Sequence, residues 1–230
     1  MQNIAISLED TCLTLDGNAG PVNVLKNISL RVGKGESMGM TGPSGSGKTS
    51  LLMLLGGLER ATSGGLIVLG NDLTAMNEDQ LARFRMKHVG IVFQSFHLIP
   101  TMTALENVAT PLELSGREAA FELAQKELDS VGLADRIDHY PSQLSGGEQQ
   151  RVAIARASAT EPDILLADEP TGNLDAANGE MVMELLLGLS ERHNAALVLV
   201  THAEDLAKRC DRRIKLHDGR IGSVSGNSNE

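Results

Sequence analysis

Gly42-Pro43-Ser44-Gly45-Ser46-Gly47-Lys48-Thr49 follows the pattern Gly-x-x-x-x-Gly-Lys-Thr. In that pattern backbone N–H groups wrap phosphates, the lysine meets the outer two and the threonine hydroxyl reaches Mg²⁺. Further along, Leu144-Ser145-Gly146-Gly147-Glu148-Gln149 combines small residues with a hydroxyl, so its backbone N–H groups and Ser145 can come close to an anion at the start of a helix. A turn of this kind that merely starts a helix is the plainer reading. Asp168-Glu169 closes the apolar run Ile164-Leu165-Leu166-Ala167. At such a place an aspartate holds Mg²⁺ together with Thr49, and the next carboxylate projects differently and can polarise an attacking water. The chemistry these residues suit is phosphoryl transfer to water.

Two further side chains stand at the ends of apolar runs. Gln94 closes Val89-Gly90-Ile91-Val92-Phe93, and His202 follows Leu197-Val198-Leu199-Val200-Thr201. A glutamine there can cap a strand in solvent, or it can accept from a metal-bound water, donate, and pull on the adjoining helices. A lone histidine is commonly a satisfied surface residue; at this edge it can also reach a terminal phosphate and keep a water aligned with Glu169.

These residues need elements to hold them. Ser37 to Thr41 reads as a buried strand and Lys48 to Leu55 as a helix, so the phosphate pattern lies in a strand-loop-helix context with a helix N-terminus aimed at the anion. Residues up to about 92 read as strand-rich: Ile4 to Leu8 and Val24 to Val32 alternate, and Leu66 to Leu69 is a short apolar run. From about 95 to 157 the period turns helical, with Leu105, Val108 and Leu112 on one face and Leu123, Leu128 and Val131 on another. Ile164 to Ala167 and Leu197 to Val200 then read as fully buried parallel strands around a helix that carries Met181, Leu185 and Leu189. In a parallel α/β sheet, ligands bind at the carboxyl edge of the strands, where all of these candidates fall.

Composition sets outer limits. A chain of 230 residues suffices for one large α/β domain. Its net charge of -10 repels a phosphate backbone, so no nucleic acid is expected as a partner; Lys208-Arg209 with Arg212-Arg213 reads as a short solvated cluster. Cys12 and Cys210 lack paired-ligand spacing, which argues against a disulfide framework or a zinc site and fits a reduced compartment. The stretch Met1 to Ser7 lacks the pattern of an export leader, and no apolar run approaches the roughly 20 residues that span a bilayer. Any tie to a membrane must then come through a partner.

The phosphate loop, Gln94, Leu144 to Gln149, Asp168-Glu169, Asn173-Leu174-Asp175 and His202 appear in one order and spacing, and over residues 4–222 the chain resembles the nucleotide-binding subunit of an ABC transporter. Lys87 to Phe96, Ala104 to Val108 and Ala167 to Asp175 are similar to the lipoprotein-releasing and macrolide-exporting (LolD and MacB) branch. Phe93 to Pro100 and Arg209 to Arg213 look nearest to its YbbA-type members.

The resemblance implies an α/β P-loop NTPase fold: a single ABC ATPase domain over 1–230, with a mixed central sheet and an antiparallel β subdomain in 1–94 and 158–230, and an inserted helical subdomain in 95–157. It implies ATP and Mg²⁺ as cofactors. Glu169, His202, Lys48 and Gln94 would be catalytic, and Thr49, Asp168 and Gln94 would face the metal. Nucleotide contacts would come from Gly42, Pro43, Ser44, Gly45, Ser46, Gly47, Lys48, Thr49 and Ser50, and across a head-to-tail dimer from Ser145, Gly146, Gly147, Glu148 and Asp175 of a second copy. ATP would then hold the pair together, and hydrolysis would loosen it. An integral-membrane permease would dock near Phe93-Pro100, with Phe93, Phe96, Leu98 and Ile99 either lining its groove or belonging to the core. The implied location is peripheral, on the cytoplasmic face of a bacterial inner membrane. Leu15 falls where the family usually carries an aromatic against adenine. Stacking is worth about 1–3 kcal/mol, so nucleotide binding is expected to be about tenfold weaker and less selective for adenine. The alternatives are an ATP-switched regulatory module that clamps a membrane protein without transport, and a non-transport ATPase acting on DNA or ribosomes. For the latter the chain lacks long coiled-coil insertions or a second copy of the domain, and no Asn-Lys-x-Asp motif points to guanine.

Overall fold

The apolar runs fold into two sheets, and the computed structural model describes residues 3–17 and 20–226. Met1 and Gln2, which open the stretch that lacks a leader pattern, lie outside the described residues. β1 (Ile4–Gly17) pairs antiparallel with β2 (Gly20–Gly33) on one side and with β4 (Ser63–Val68) on the other, and β5 (Asn71–Asp72) completes the order β2-β1-β4-β5. Ile6, Leu8, Leu25, Ile28, Leu30 and Val32 bury the inner face, which is the alternation read from the sequence.

The second sheet has six strands in the order β10-β9-β3-β8-β7-β6. β3 (Ser37–Thr41), β6 (Val89–Phe93), β7 (Ile164–Asp168), β8 (Ala196–Val200) and β9 (Arg212–His217) run parallel, and β10 (Arg220–Gly226) turns back antiparallel on β9. The sheet is therefore mixed, as expected. Every residue of β8 is buried, which explains an uninterrupted apolar run where a one-sided strand would alternate. The register aligns the strand ends: Phe93 opposes Asp168, Asp168 opposes Val200, and Val200 opposes Met40. One edge thus receives the residues that follow β3, β6, β7 and β8.

Helices fill both faces: α1 (Lys48–Leu55), α2 (Glu78–His88), α3 (Ala104–Leu114), α4 (Ala120–Ser130), α5 (Gly146–Ser158), α6 (Ala176–His193) and α7 (Glu204–Ala207). Two of them differ from the sequence reading. α2 interrupts the region read as strands; it is strongly polar and buries only Leu81 and Phe84, so it shows little apolar period. Its signal was the Asn77 and Gln80 capping box, in which each side chain accepts from the other residue's N–H at 2.9 Å. On α6 the buried stripe is Val182, Met183, Leu186 and Leu189, while Met181 is 47% exposed. The four-residue spacing of Met181, Leu185 and Leu189 drifts off a 3.6-residue period, so only Leu189 falls within that stripe.

α3 and α4 pack with α5 around Val108, Leu112, Leu128 and Leu144, in an apolar cluster of their own. α5 serves two clusters at once. Val152, Ala155 and Ala159 belong to the helical one, whereas Ile154 and Ala157 pack with Val92, Leu165 and Ala167 of the sheet.

Candidate functional site

The phosphate pattern forms the turn between β3 and α1. Gly42 has φ +150°, and a Cβ there would collide with the carbonyl oxygen of Leu216; Gly47 has φ +99° and caps α1 where a Cβ would press on Val24 and Leu25. Only glycine fits both positions. Lys48 is buried, and its Nζ donates to the carbonyls of Gly42 at 2.9 Å and Pro43 at 3.0 Å. An ammonium has three protons, so one remains for a ligand. The hydroxyl of Ser46, also buried, has no hydrogen-bond partner among the described residues.

Asp168 and Glu169 extend β7 to the same edge. Thr49 Oγ1 donates to Asp168 Oδ1 at 3.2 Å, although 119 residues separate the two in sequence. Burial raises the pKa of Asp168, and it outweighs the opposing hydrogen bond from Thr49 and the charges of Lys48 and His202. Glu169 is in the left-handed region at φ +48°, a costly conformation for a residue other than glycine, and its N–H is tied to the Val200 carbonyl at 2.9 Å. The His202 N–H donates to Glu169 Oε2 at 3.2 Å. His202 Nε2 lies 3.0 Å from Glu169 Oε1, an ion-pair distance without hydrogen-bond alignment, so this carboxylate oxygen keeps its capacity to accept from a water. Burial also raises the pKa of Glu169, against the His202 N–H.

The sign of the Asp168 shift gives a first prediction. A carboxyl with a raised native pKa binds protons more tightly folded than unfolded. Its cost to stability is absent below the unfolded value near 3.8 and fully present once the pH exceeds the native value. Asp168→Asn should therefore raise the melting temperature of the nucleotide-free protein at pH 7, and the gap should close as the pH falls towards 4. Thermal melts across that range check it; a variant that melts lower at neutral pH would contradict the burial cost.

Gln94 leaves β6 exposed. Its Nε2 lies 3.4 Å from Asn173 Oδ1, and Asn173 Nδ2 donates to the Gln94 carbonyl at 3.1 Å. Together Ser44, Gly45, Gly47, Lys48, Thr49, Ser50, Gln94, Asp168, Glu169 and His202 line a cleft of about 410 Å³, and Val24 of β2 joins them. Gly42, Pro43 and Ser46 shape the loop from behind and are not on the lining. Ser145, Gly146, Gly147, Glu148 and Asp175 are absent from it as well. Ser145 caps α5 in a capping box with Glu148, Glu148 is paired with Arg136, and Asp175 caps α6 by accepting from the Asn178 N–H at 2.9 Å. The sequence therefore named two groups of residues, and the fold puts only the first on this cleft.

A second cleft, of about 330 Å³, opens between α2, β6, α3 and α5, lined by Met86, Ile91, Ile99, Pro111, Leu114 and Arg156 among others. Of the four apolar residues expected at a groove, only Ile99 lines it. Phe93 packs edge-on against His97 with ring centroids 4.8 Å apart, Phe96 sits behind Gly146, and Leu98 packs on the helical cluster; all three are half-buried. Solvent-facing Met86 and Leu114, 40% and 72% exposed, supply apolar surface at this cleft. Arg156 was not anticipated. Its guanidinium donates to the carbonyls of Phe96 at 2.9 Å and His97 at 2.7 Å, holding two consecutive residues in left-handed conformation just beyond Gln94. Three of the four residues of the basic cluster are paired where they stand: Lys208 with Asp205, Arg209 with Glu180 and Arg212 with Glu36, all within 2.7 Å.

Among the described residues no helix is long and apolar enough to cross a membrane. Cys12 and Cys210 are free thiols.

The family model described as ABC transporter matches residues 25–172. The "Uncharacterized ABC transporter ATP-binding protein YbbA" of Escherichia coli (strain K12) is 48% identical over 202 residues, which cover 87% of this chain and 89% of that protein. The lipoprotein-releasing system ATP-binding protein LolD of Legionella pneumophila (strain Paris) is 47% identical over 224 residues, covering 96% and 98%. Among solved structures, a dimeric post-hydrolysis state of the ATP-binding cassette MJ0796, bound to ADP and Pi, superposes with a TM-score of 0.91 at 38% identity, covering 98% of this chain and 100% of that one.

Proposed function

The chain belongs to the ABC transporter family, as an ATP-binding subunit that hydrolyses ATP, and from that premise we propose how its residues divide the work. It acts as a homodimer and drives a membrane permease. The observation that carries the proposed division is the separation of the two motif groups. Lys48, Thr49, Gln94, Asp168, Glu169 and His202 share one cleft, whereas Ser145, Gly146, Gly147, Glu148 and Asp175 do not reach it. The cleft of one copy is completed by the Ser145 turn of the other, in head-to-tail arrangement.

Within the cleft the loop N–H groups and the start of α1 cradle the phosphates, and Lys48 brings its free proton to them. Thr49 and Asp168 offer a hydroxyl and a desolvated carboxylate 3.2 Å apart, a hard oxygen pair that suits Mg²⁺, and Gln94 keeps a carbonyl oxygen free beside them. When bound, Mg²⁺ supplies charge neutralisation at the phosphates. Glu169 Oε1 accepts a proton from the attacking water, and His202 holds Glu169 and the water in line. Leu15 lies opposite Val22, and Val24 lines the cleft at the register shift two residues further along β2. These three offer an aliphatic platform for the base beside the cleft in place of an aromatic one.

Residues 95–157 act as a helical subdomain inserted in a core of 1–94 and 158–230, a division supported by the separate α3-α4-α5 cluster. The permease contacts the Met86, Ile99 and Leu114 cleft at the junction of the two bodies, at the cytoplasmic face of a bacterial inner membrane. ATPase activity per chain should rise with chain concentration and approach a plateau, because each cleft works only when paired. Initial rates over a dilution series test this; activity per chain that stays flat down to concentrations where light scattering shows only monomer would reject the shared site.

A further inference from the structure

The hydroxyl of Ser145 is already fully engaged within its own chain. Its oxygen accepts from the Glu148 N–H at 3.3 Å, and its proton goes to Glu148 Oε2 at 2.8 Å. The same carboxylate oxygen also takes the Ser145 N–H at 2.8 Å. A hydroxyl has a single proton, so Ser145 cannot donate to a phosphoryl oxygen while Glu148 holds it. The Ser145 N–H first, and the hydroxyl second, keep the Glu148 carboxyl below its ordinary range. An anion therefore stands at the turn that must meet an anionic nucleotide.

Its other oxygen is occupied. Arg136, the last residue of the 3-10 turn Ala134–Arg136, directs Nε at Glu148 Oε1 from 3.1 Å. The Glu148 side chain is 21% exposed and that of Arg136 is 44% exposed, so the pair sits at the surface with the acid on its inner side.

We propose that Arg136 is a positioning residue for ATP-driven pairing: by neutralising Glu148 it lets that carboxylate shape the Ser145 turn beforehand and yield the hydroxyl proton to the phosphoryl group when a second copy docks. The inference rests on the shared-site reading above. Without the guanidinium, Glu148 is a stronger acceptor for the Ser145 proton and a like charge facing the nucleotide. Both effects oppose docking. A glutamine at 148 removes the anion and keeps the capping box, since Gln serves that position as well as Glu.

The test is a double-mutant cycle in the Glu169→Gln chain, which keeps ATP intact, reading the dimer dissociation constant with Mg-ATP by light scattering. Arg136→Ala should weaken the dimer about tenfold, equivalent to about 1.4 kcal/mol, and raised salt should shrink that loss. The Glu148→Gln chain supplies its own reference value for the second arm of the cycle. Arg136→Ala added to Glu148→Gln should cost less than about threefold. Equal losses from Arg136→Ala in both backgrounds would mean that Arg136 only supports the local fold, and would overturn the proposal. A parent chain that shows no dimer with ATP while Arg136→Ala leaves nucleotide binding unchanged would remove the shared-site reading, and this inference with it.

Discussion

Glu169→Gln is expected to lower ATP turnover by about 10³-fold while leaving nucleotide binding intact, so that Mg-ATP traps a stable dimer visible by light scattering. The substitution keeps size and shape and can still accept the His202 N–H, but an amide oxygen is a far weaker proton acceptor than a carboxylate. Oε1 is the atom at stake: it is buried, close to His202 Nε2 without an aligned hydrogen bond, and so available to a water. The pH dependence should move with it. Because burial raises the Glu169 pKa, the unaltered chain should lose turnover as the pH falls through a value above the ordinary 4.5 of a glutamate, and that acid limb should vanish from the residual rate of the variant. Initial-rate phosphate release as a function of pH measures both. Turnover near the original level would mean that another group takes the proton.

Lys48→Ala should weaken nucleotide binding itself. A unit charge about 4 Å from a phosphate oxygen interacts by roughly 4 kcal/mol at an effective dielectric of 20, which corresponds to nearly 10³-fold in affinity. The structure adds a second loss, because Nζ also ties the Gly42 and Pro43 carbonyls and so holds the loop in shape. Titration calorimetry with a non-hydrolysed ATP analogue reads the loss, and far-UV circular dichroism confirms that the chain still folds. Binding that survives the substitution would contradict the assigned contact.

Both experiments concern residues that are legible in the sequence, for a physical reason. β3, α1, β6, β7 and β8 are buried elements with strong local patterns, and their ends carry the candidate residues, so finding the strand finds the candidate site. Contacts set by tertiary packing are not legible there. Nothing in Arg156 distinguishes it from other helix arginines until α5 is placed beside the loop after Gln94, because its two acceptors are backbone carbonyls with no sequence identity. Val24 is one of several valines on an alternating strand, and only the closeness of Val24 and Leu25 to Gly47 puts it on the cleft. Phe93, Phe96 and Leu98 read either way in the sequence, since apolar residues beside a functional loop can line a groove or hold that loop in place.

The grip of Arg156 on Phe96 and His97 has a mechanical consequence. The segment just beyond Gln94 and α5, the helix that Ser145 caps, are bolted together at a point on the wall of the apolar cleft. In the proposed pair, pressure on that wall would reach the Gln94 edge and the turn capped by Ser145 together, gearing both to a common crank.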